Sequence, residues 1–332
     1  MRRSLCCPLF ILTVVALVLV GCGDDDADDA DTGSTTTAST ASSTTEPDVT
    51  TTTDPDVTTT TDSATTTSVA EPGTPPEGVN VYWAWSVDTT SAATPEQLGA
   101  GGRPDLWRGD AFAPADALDA LLAGPDELET EIGMTTQIPE GTTASFEITD
   151  DNIAVIDLSS EFNATSGTLG ETLAIAQIVF TVTQFDGTDT VATVDGVSFR
   201  IDGVDVDAIG SHGFVVSEPL TRDDFNNSVR PLILLESPPP GAELTDEVLI
   251  RGESNTFEGT VVYAVTDGDG MIVAEGFTTA TAGNGTWGRF EETVTFQPET
   301  AGVGAVIVWE ESAEDGSQIN LVEYPVAIGA AP

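Results

Sequence analysis

The sequence predicts an α+β protein, a small α/β sandwich followed by an all-β sandwich, both carried beyond a disordered, acidic, threonine-rich stalk. Three observations predict it. Between residues 79 and 225, strand-like runs are interleaved with stretches of helical spacing. Between residues 231 and 328, short β-branched runs recur between turn signals, with no helical stretch among them. Residues 23–78 are almost entirely Asp, Thr, Ser, Ala, Pro, Glu and Gly, with too little apolar surface to offset chain entropy.

Residues 1–21 read as an export signal. Met1-Arg2-Arg3 is a short positive start, Leu9 to Val20 is an almost unbroken apolar run, and Leu19-Val20-Gly21-Cys22 follows. That ending resembles a bacterial lipobox, which implies cleavage before Cys22 and a diacylglyceryl thioether on its sulfur. The alternative is a single membrane anchor from Leu5 to Gly21, which is just long enough to span. Both place the remainder outside the cytoplasmic membrane. Residues 22–78 then form a lipid-anchored linker, in which two four-threonine runs flank Asp54-Pro55-Asp56-Val57. Such a linker reaches on the order of 170 Å extended, or about 40 Å as a flexible coil.

The first folded region spans residues 79–225. Val79 to Trp85 is β-branched and aromatic and reads as a strand. Pro114 to Ala123 reads as a helix, with Pro114 in its first turn, Leu118, Leu121 and Leu122 on one face, and Gly124-Pro125 as the stop. Ala144 to Thr149 and Ile153 to Leu158 flank Asp150-Asp151-Asn152 as a hairpin. Thr168 to Glu171 has capping-box spacing, and Leu169, Leu173, Ala176 and Phe180 continue a helical stripe thickened by Val179, Val182 and Phe185. That helix is expected to be largely buried. A last strand is expected at Thr190 to Val194, ending at Asp195-Gly196.

The ordered set Ala117-Leu118, Leu121 to Pro125, Ile138 to Thr142, Ala154 to Phe162, Ile178 to Phe185 and Val194 to Gly196 resembles the sporulation and spore-germination GerMN domain. The resemblance covers most of the region and implies a non-enzymatic envelope domain found in lipoproteins and membrane-linked assemblies. The stretch from Val197 to Leu220 departs from the pattern.

The second region spans residues 231–328. Seven strands are expected at Leu232 to Leu235, Val248 to Arg251, Thr260 to Thr266, Ile272 to Phe277, Arg289 to Phe296, Ala305 to Glu310 and Ile319 to Val326. No cysteine pair is available for an inter-sheet disulfide, so Trp287 or Trp309 is the expected core aromatic. Ser237-Pro238, Gly241, Gly252, Phe257 to Gly259, Asp269-Gly270, Trp287, Phe290, Phe296 and Glu311-Ser312 resemble the Gmad-type immunoglobulin-like domain that accompanies GerMN domains. That implies an adhesion- or scaffold-like module without catalytic residues.

Charge and composition exclude chemistry. The chain of 332 residues has 56 acids, nine basic residues and a formal net charge of −47, and every basic residue is arginine. No P-loop lysine, Schiff-base lysine or Ser-Lys dyad is available. The field has the wrong sign for nucleic acid. Cys6, Cys7 and Cys22 are the only cysteines, so the folded regions have no thiolate nucleophile or cysteine zinc site. Residues 23–78 hold 13 of the acids, which leaves 43 against seven arginines beyond them, a net −36.

Four residue sets remain as candidates. His212, in Gly210-Ser211-His212-Gly213, is the sole imidazole; no G-x-S-x-G elbow surrounds Ser211, and an exposed loop histidine is expected. Asp150, Asp151, Asp157 and Glu161 are close in sequence, as a carboxylate-only glycosidase would need, although Asp150-Asp151 fits hairpin-turn chemistry. Asp267 and Asp269 suggest calcium but lack the third ligand and spaced Glu of an EF-hand loop, so a tight turn is expected. Tyr82, Trp83, Trp85 and Trp107 offer rings for wall sugars, with core packing favoured because alternate residues share a strand face.

The resulting expectation is a non-catalytic envelope lipoprotein at the outer face of the cytoplasmic membrane, linked to sporulation, germination or wall processes. It needs no cofactor and no metal, and its partners are the membrane through Cys22 and an envelope protein or wall polymer. The alternatives are a carboxylate-dependent cell-wall hydrolase and a solute-binding lipoprotein; the latter needs two similar α/β lobes around a cleft.

Overall fold

The aromatic run of the first strand sets up the architecture, because its residues must be covered on both faces. The computed structural model describes residues 79–86, 96–103, 106, 113–165, 167–184 and 193–330. The signal, Cys22, the linker, Trp107 and Phe185 lie outside the described residues. Strand β1 (Asn80–Trp85) is buried along its whole length and pairs antiparallel with β2 (Gln97–Gly102). Beta-2 was not legible in its sequence, Gln-Leu-Gly-Ala-Gly-Gly. Its glycines make room for β1: a Cβ on Gly99 would lie 2.9 Å from the Trp85 ring, and one on Gly101 2.7 Å from the Trp83 indole nitrogen.

Helix α1 (Pro114–Ala123) has the expected bounds and ends at Gly124 with φ +88°. A short helix α2 (Glu127–Glu131) follows, held by a reciprocal capping box between Asp126 and Glu129. The expected hairpin is present as β3 (Ala144–Ile148) and β4 (Ile153–Leu158), paired antiparallel. Helix α3 (Thr168–Val182) is buried at every position from Gly170 to Val182. Leu169, read as part of its inner stripe, is 44% exposed.

Two local expectations are corrected. Thr168 does not cap α3; Gly167 holds that position, with no side-chain cap, and Glu171 turns to a distant loop. The last strand is β5 (Gly196–Ile201), so Asp195-Gly196 opens the strand; of the expected strand only residues 193 and 194 are among those described. Beta-5 runs parallel to β4, giving the order β3-β4-β5-β6 with β6 at Val204–Asp205. A small hairpin, β7 (Ala208–Ile209) with β8 (Phe214–Val215), occupies part of the stretch that departs from the family pattern.

Side chains of α3 and of Gln184 just beyond it bind the edge of β1 that β2 leaves open. Thr181 Oγ1 accepts from the Tyr82 amide at 3.2 Å, and Gln177 Nε2 donates to the Tyr82 carbonyl at 3.0 Å. Gln184 both accepts from the Asn80 amide and donates to its carbonyl, at 2.8 and 2.7 Å. A buried strand edge is therefore paired without a third strand.

All seven expected strands of the second region form: β9 (Ile233–Ser237), β11 (Glu247–Ser254), β12 (Thr260–Thr266), β13 (Ile272–Thr279), β14 (Gly288–Thr295), β15 (Gly302–Glu311) and β16 (Gln318–Ile328). With the short β10 (Glu243–Leu244), they make sheets of order β10-β16-β15-β12-β13 and β14-β11-β9. The central cluster takes Tyr263, Phe290, Phe296 and Tyr324 as aromatics, while Trp309 is buried outside it and Trp287 is half-buried.

The described residues fall in one compact unit, and a single apolar core runs through both regions. Trp85 packs on Tyr324 with ring centroids 5.2 Å apart, and the Tyr324 hydroxyl accepts from the Ala100 amide at 3.0 Å. The Leu98 amide donates to the Val229 carbonyl at 2.9 Å. Thus the β1–β2 hairpin is the face on which the second region sits.

Candidate functional site

The polar side of this junction holds an ionic network built around the buried Arg230 and Glu253. Arg222 opens a one-turn helix, Arg222–Phe225, whose entry is fixed by reciprocal hydrogen bonds between Thr221 and Asp224. Its guanidinium donates to the Tyr82 hydroxyl at 3.0 Å, the Phe180 carbonyl at 3.1 Å and Glu236 at 3.1 Å, and meets Glu253 at 2.9 Å. It also lies 4.9 Å over the Phe180 ring. The Tyr82 hydroxyl donates to Glu236. Arg230 donates to Glu253 at 2.6 Å and to Asn226 at 2.7 Å, and its guanidinium lies 3.7 Å from the Trp287 ring centre.

Glu253 on β11 is thus the hub for Arg222 and Arg230, and Arg289 stands at 4.0 Å from it. Burial alone would push its carboxyl up, but the two nearer guanidiniums more than offset this and hold it down at about 2. Burial likewise would pull Arg222 down, and Glu253, Tyr82 and Glu236 together carry it well above its ordinary value. Burial raises the Tyr82 hydroxyl well above the usual tyrosine range. At neutral pH the network is two cations held by fixed carboxylates and a neutral phenol.

A cleft of about 620 Å³ opens beside the network, lined by Arg222, Arg230, Arg289, Trp287 and four threonines. Arg230 is 6% exposed, and among the described residues neither its Nε nor the Trp287 Nε1 has a hydrogen-bond acceptor. Sequence reasoning missed this site. Its residues come from segments around positions 183, 222, 253 and 287, and the available signal was the scarcity of arginine.

Residues 80–207 match the family model described as "Sporulation and spore germination", and residues 232–317 match that described as "Immunoglobulin-like domain of bacterial spore germination". The chain joins a GerMN-like domain to a Gmad-type immunoglobulin-like domain. Comparison with curated proteins finds no match. Among solved structures, a candidate lipoprotein from Clostridium perfringens is 23% identical, with a TM-score of 0.30 over 44% of this chain and 87% of that one. The first GerMN domain of the sporulation protein GerM from Bacillus subtilis is 21% identical, with a TM-score of 0.31 over 44% of this chain and 99% of that one. The tandem GerMN domains of the same protein are 17% identical, with a TM-score of 0.32 over 60% of this chain and 57% of that one. The domain assignment rests on the family models.

In the GerMN-like domain, His212 lies on the exposed loop between β7 and β8, as expected, but it has partners. The buried Glu171 carboxylate accepts from the His212 amide at 2.9 Å and from the Ser211 hydroxyl at 3.1 Å. Its other contact is the His212 ring Nδ1 at 3.0 Å, and Ser211 Oγ meets that same nitrogen at 3.0 Å. A serine relay needs hydroxyl and acid on opposite ring nitrogens. Here both sit on one, so the group clamps a loop. Burial would raise the Glu171 carboxyl, and the hydrogen bonds from His212 and Ser211 hold it below its ordinary value.

The four acids weighed for glycosidase chemistry serve local structure. Asp150 and Asp151 are exposed at the β3–β4 turn, Asp157 accepts from the Gly203 amide at 2.8 Å, and Glu161 is exposed on the turn Ser160–Ala164. In the Gmad-type domain, Asp267 is 0% exposed and accepts from the amides of Met271, Glu299 and Thr300 at 3.1, 3.2 and 3.1 Å. Its carboxylate is committed to the turn. No group of three or more acidic, His or Cys side chains fit to hold a metal occurs among the described residues. Tyr82, Trp83 and Trp85 are core residues, at 0%, 0% and 6% exposure.

Proposed function

We propose that the protein is a non-catalytic envelope lipoprotein, anchored through Cys22 at the outer face of the cytoplasmic membrane, that serves as a binding or assembly module. The observation that carries this reading is the junction. A continuous core and an Arg222–Glu253–Arg230 lock join the two domains, so they present one rigid surface to a partner, as a scaffold needs. The Leu19-Val20-Gly21-Cys22 ending supports the lipid as the attachment. The partner is an envelope protein or a wall polymer, in a sporulation, germination or wall setting that the domain types suggest.

Metabolic labelling with a clickable fatty acid tests the anchor: wild type is expected to label, and a Cys22→Ser protein that still labels and stays membrane-bound overturns it. Incubation of the protein with purified peptidoglycan tests the absence of catalysis. Soluble fragments whose release one Asp or Glu substitution abolishes would establish the hydrolase alternative.

A further inference from the structure

The cleft beside Arg230 has a charge balance unlike the rest of the molecule. Its lining sets Arg222, Arg230 and Arg289 against Asp195, Asp223 and Glu253, three against three. Residues beyond the linker hold 43 acids against seven arginines. Elsewhere the surface repels anions, and here that repulsion is locally cancelled. The cleft also lies between two domains and has the size of a small-molecule site.

Two donors in the cleft lining stand idle. Arg230 Nε and Trp287 Nε1 are buried and have no acceptor, although the guanidinium and the indole are in stacking contact at 3.7 Å. A buried N–H without an acceptor is costly, and a pair of them side by side calls for an acceptor from outside the chain. A carboxylate has two oxygens and suits a guanidinium edge next to an indole N–H. The hydroxyls of Thr193, Thr221 and Thr281 around it suit a polyol.

We infer that this interdomain cleft binds a carboxylate-bearing sugar, its carboxylate received by Arg230 Nε and Trp287 Nε1. The carboxylate half stands on the idle donors and the charge balance alone. The choice of a wall-type sugar rests on the envelope reading above.

The test is a titration of the full chain with N-acetylmuramic acid, with N-acetylglucosamine as the sugar lacking a carboxylate and acetate as the carboxylate lacking a sugar. Calorimetry reads affinity, and the indole N–H resonance of Trp287, assigned by its loss in Trp287→Phe, reads the site. N-acetylmuramic acid is expected to bind saturably and move that resonance. Arg230→Lys keeps the charge but removes Nε–H, and it is expected to weaken binding on the order of tenfold. Trp287→Phe keeps a ring under Arg230 and is expected to weaken binding severalfold, which carries the test if Arg230→Lys fails to fold. Equal binding of N-acetylglucosamine, equal binding of acetate, undiminished binding by a folded variant, or no binding at all each overturns the inference. Lipid labelling at Cys22 is untouched by any of these results, so failure here and failure of the envelope reading are distinguishable.

Discussion

Glu253→Gln should cost about 3 kcal/mol at neutral pH and almost nothing near pH 2. The side chain is 9% exposed and takes Arg230 at 2.6 Å and Arg222 at 2.9 Å. Its carboxyl is held at about 2 against an ordinary 4.5. At about 1.36 kcal/mol per pH unit that gap corresponds to roughly 3 kcal/mol. Removing one partner of a buried ion pair independently suggests about 3–5 kcal/mol. The sign follows from the depressed folded value. As pH falls, the unfolded chain takes up the proton first, so the contribution is complete above about pH 4.5 and disappears as pH falls to about 2.

Urea unfolding of wild type and Glu253→Gln at pH 7, 4.5, 3 and 2, followed by tryptophan fluorescence, measures this. Other carboxylates titrate in the same window, but they are common to both proteins and cancel in the difference. The difference is expected to shrink through the window, and the single unfolding transition to split as the domains lose their lock. A loss under about 1 kcal/mol at pH 7, or a difference unchanged down to pH 2, refutes the argument that Glu253 binds the domains as a buried charge.

Further substitutions test the other joints. Arg222→Lys keeps the charge but not the fork that reaches Tyr82, Phe180 and Glu236; it should cost about 2–3 kcal/mol by chemical denaturation, whereas Arg200→Lys, at an exposed ion pair, should leave the unfolding midpoint unmoved. Gly101→Ala places a Cβ 1.7 Å from Glu129 Oε1 and should cost about 1–3 kcal/mol, read as a lower Tm. Glu171→Ala should speed amide exchange at His212 at least tenfold while leaving the Tm of the shared unfolding transition nearly unchanged, because only the loop clamp is lost.

The legible parts of the fold were those that local chemistry punctuates. Pro114 and Gly124 bracket α1 correctly, and the turns at Asp267-Gly268 and Asp315-Gly316 separate strands that all form. What failed depended on distant partners. Thr168 and Glu171 have capping-box spacing, yet Glu171 is 2% exposed and spends its oxygens on a loop some 40 residues later. Asp195-Gly196 has turn chemistry, yet Gly196 opens β5 because the Leu220 carbonyl approaches within 3.3 Å of where a Cβ would lie. The glycines of β2 carry no strand propensity and are selected by the indoles of β1. The cleft was least legible, since its parts meet only when the two domains close.

Lysine's absence takes on a structural meaning from the same residues. Arg222 and Arg230 have side chains 13% and 4% exposed, and Arg103, paired with Glu129 at 2.7 Å, is 12% exposed. Three of the seven arginines beyond the linker are therefore spent inside, where a planar fork with several fixed donors outperforms a hydrated ammonium. Buried acids accompany them, Glu129, Glu171, Glu253, Asp267 and Glu310, yet the remaining acids still far outnumber the arginines, so the exterior stays strongly acidic. At the cleft lining three arginines offset three acids, so an anionic partner meets less repulsion there than the acidic composition imposes elsewhere, and the charge that sets this balance is the same charge that joins the domains.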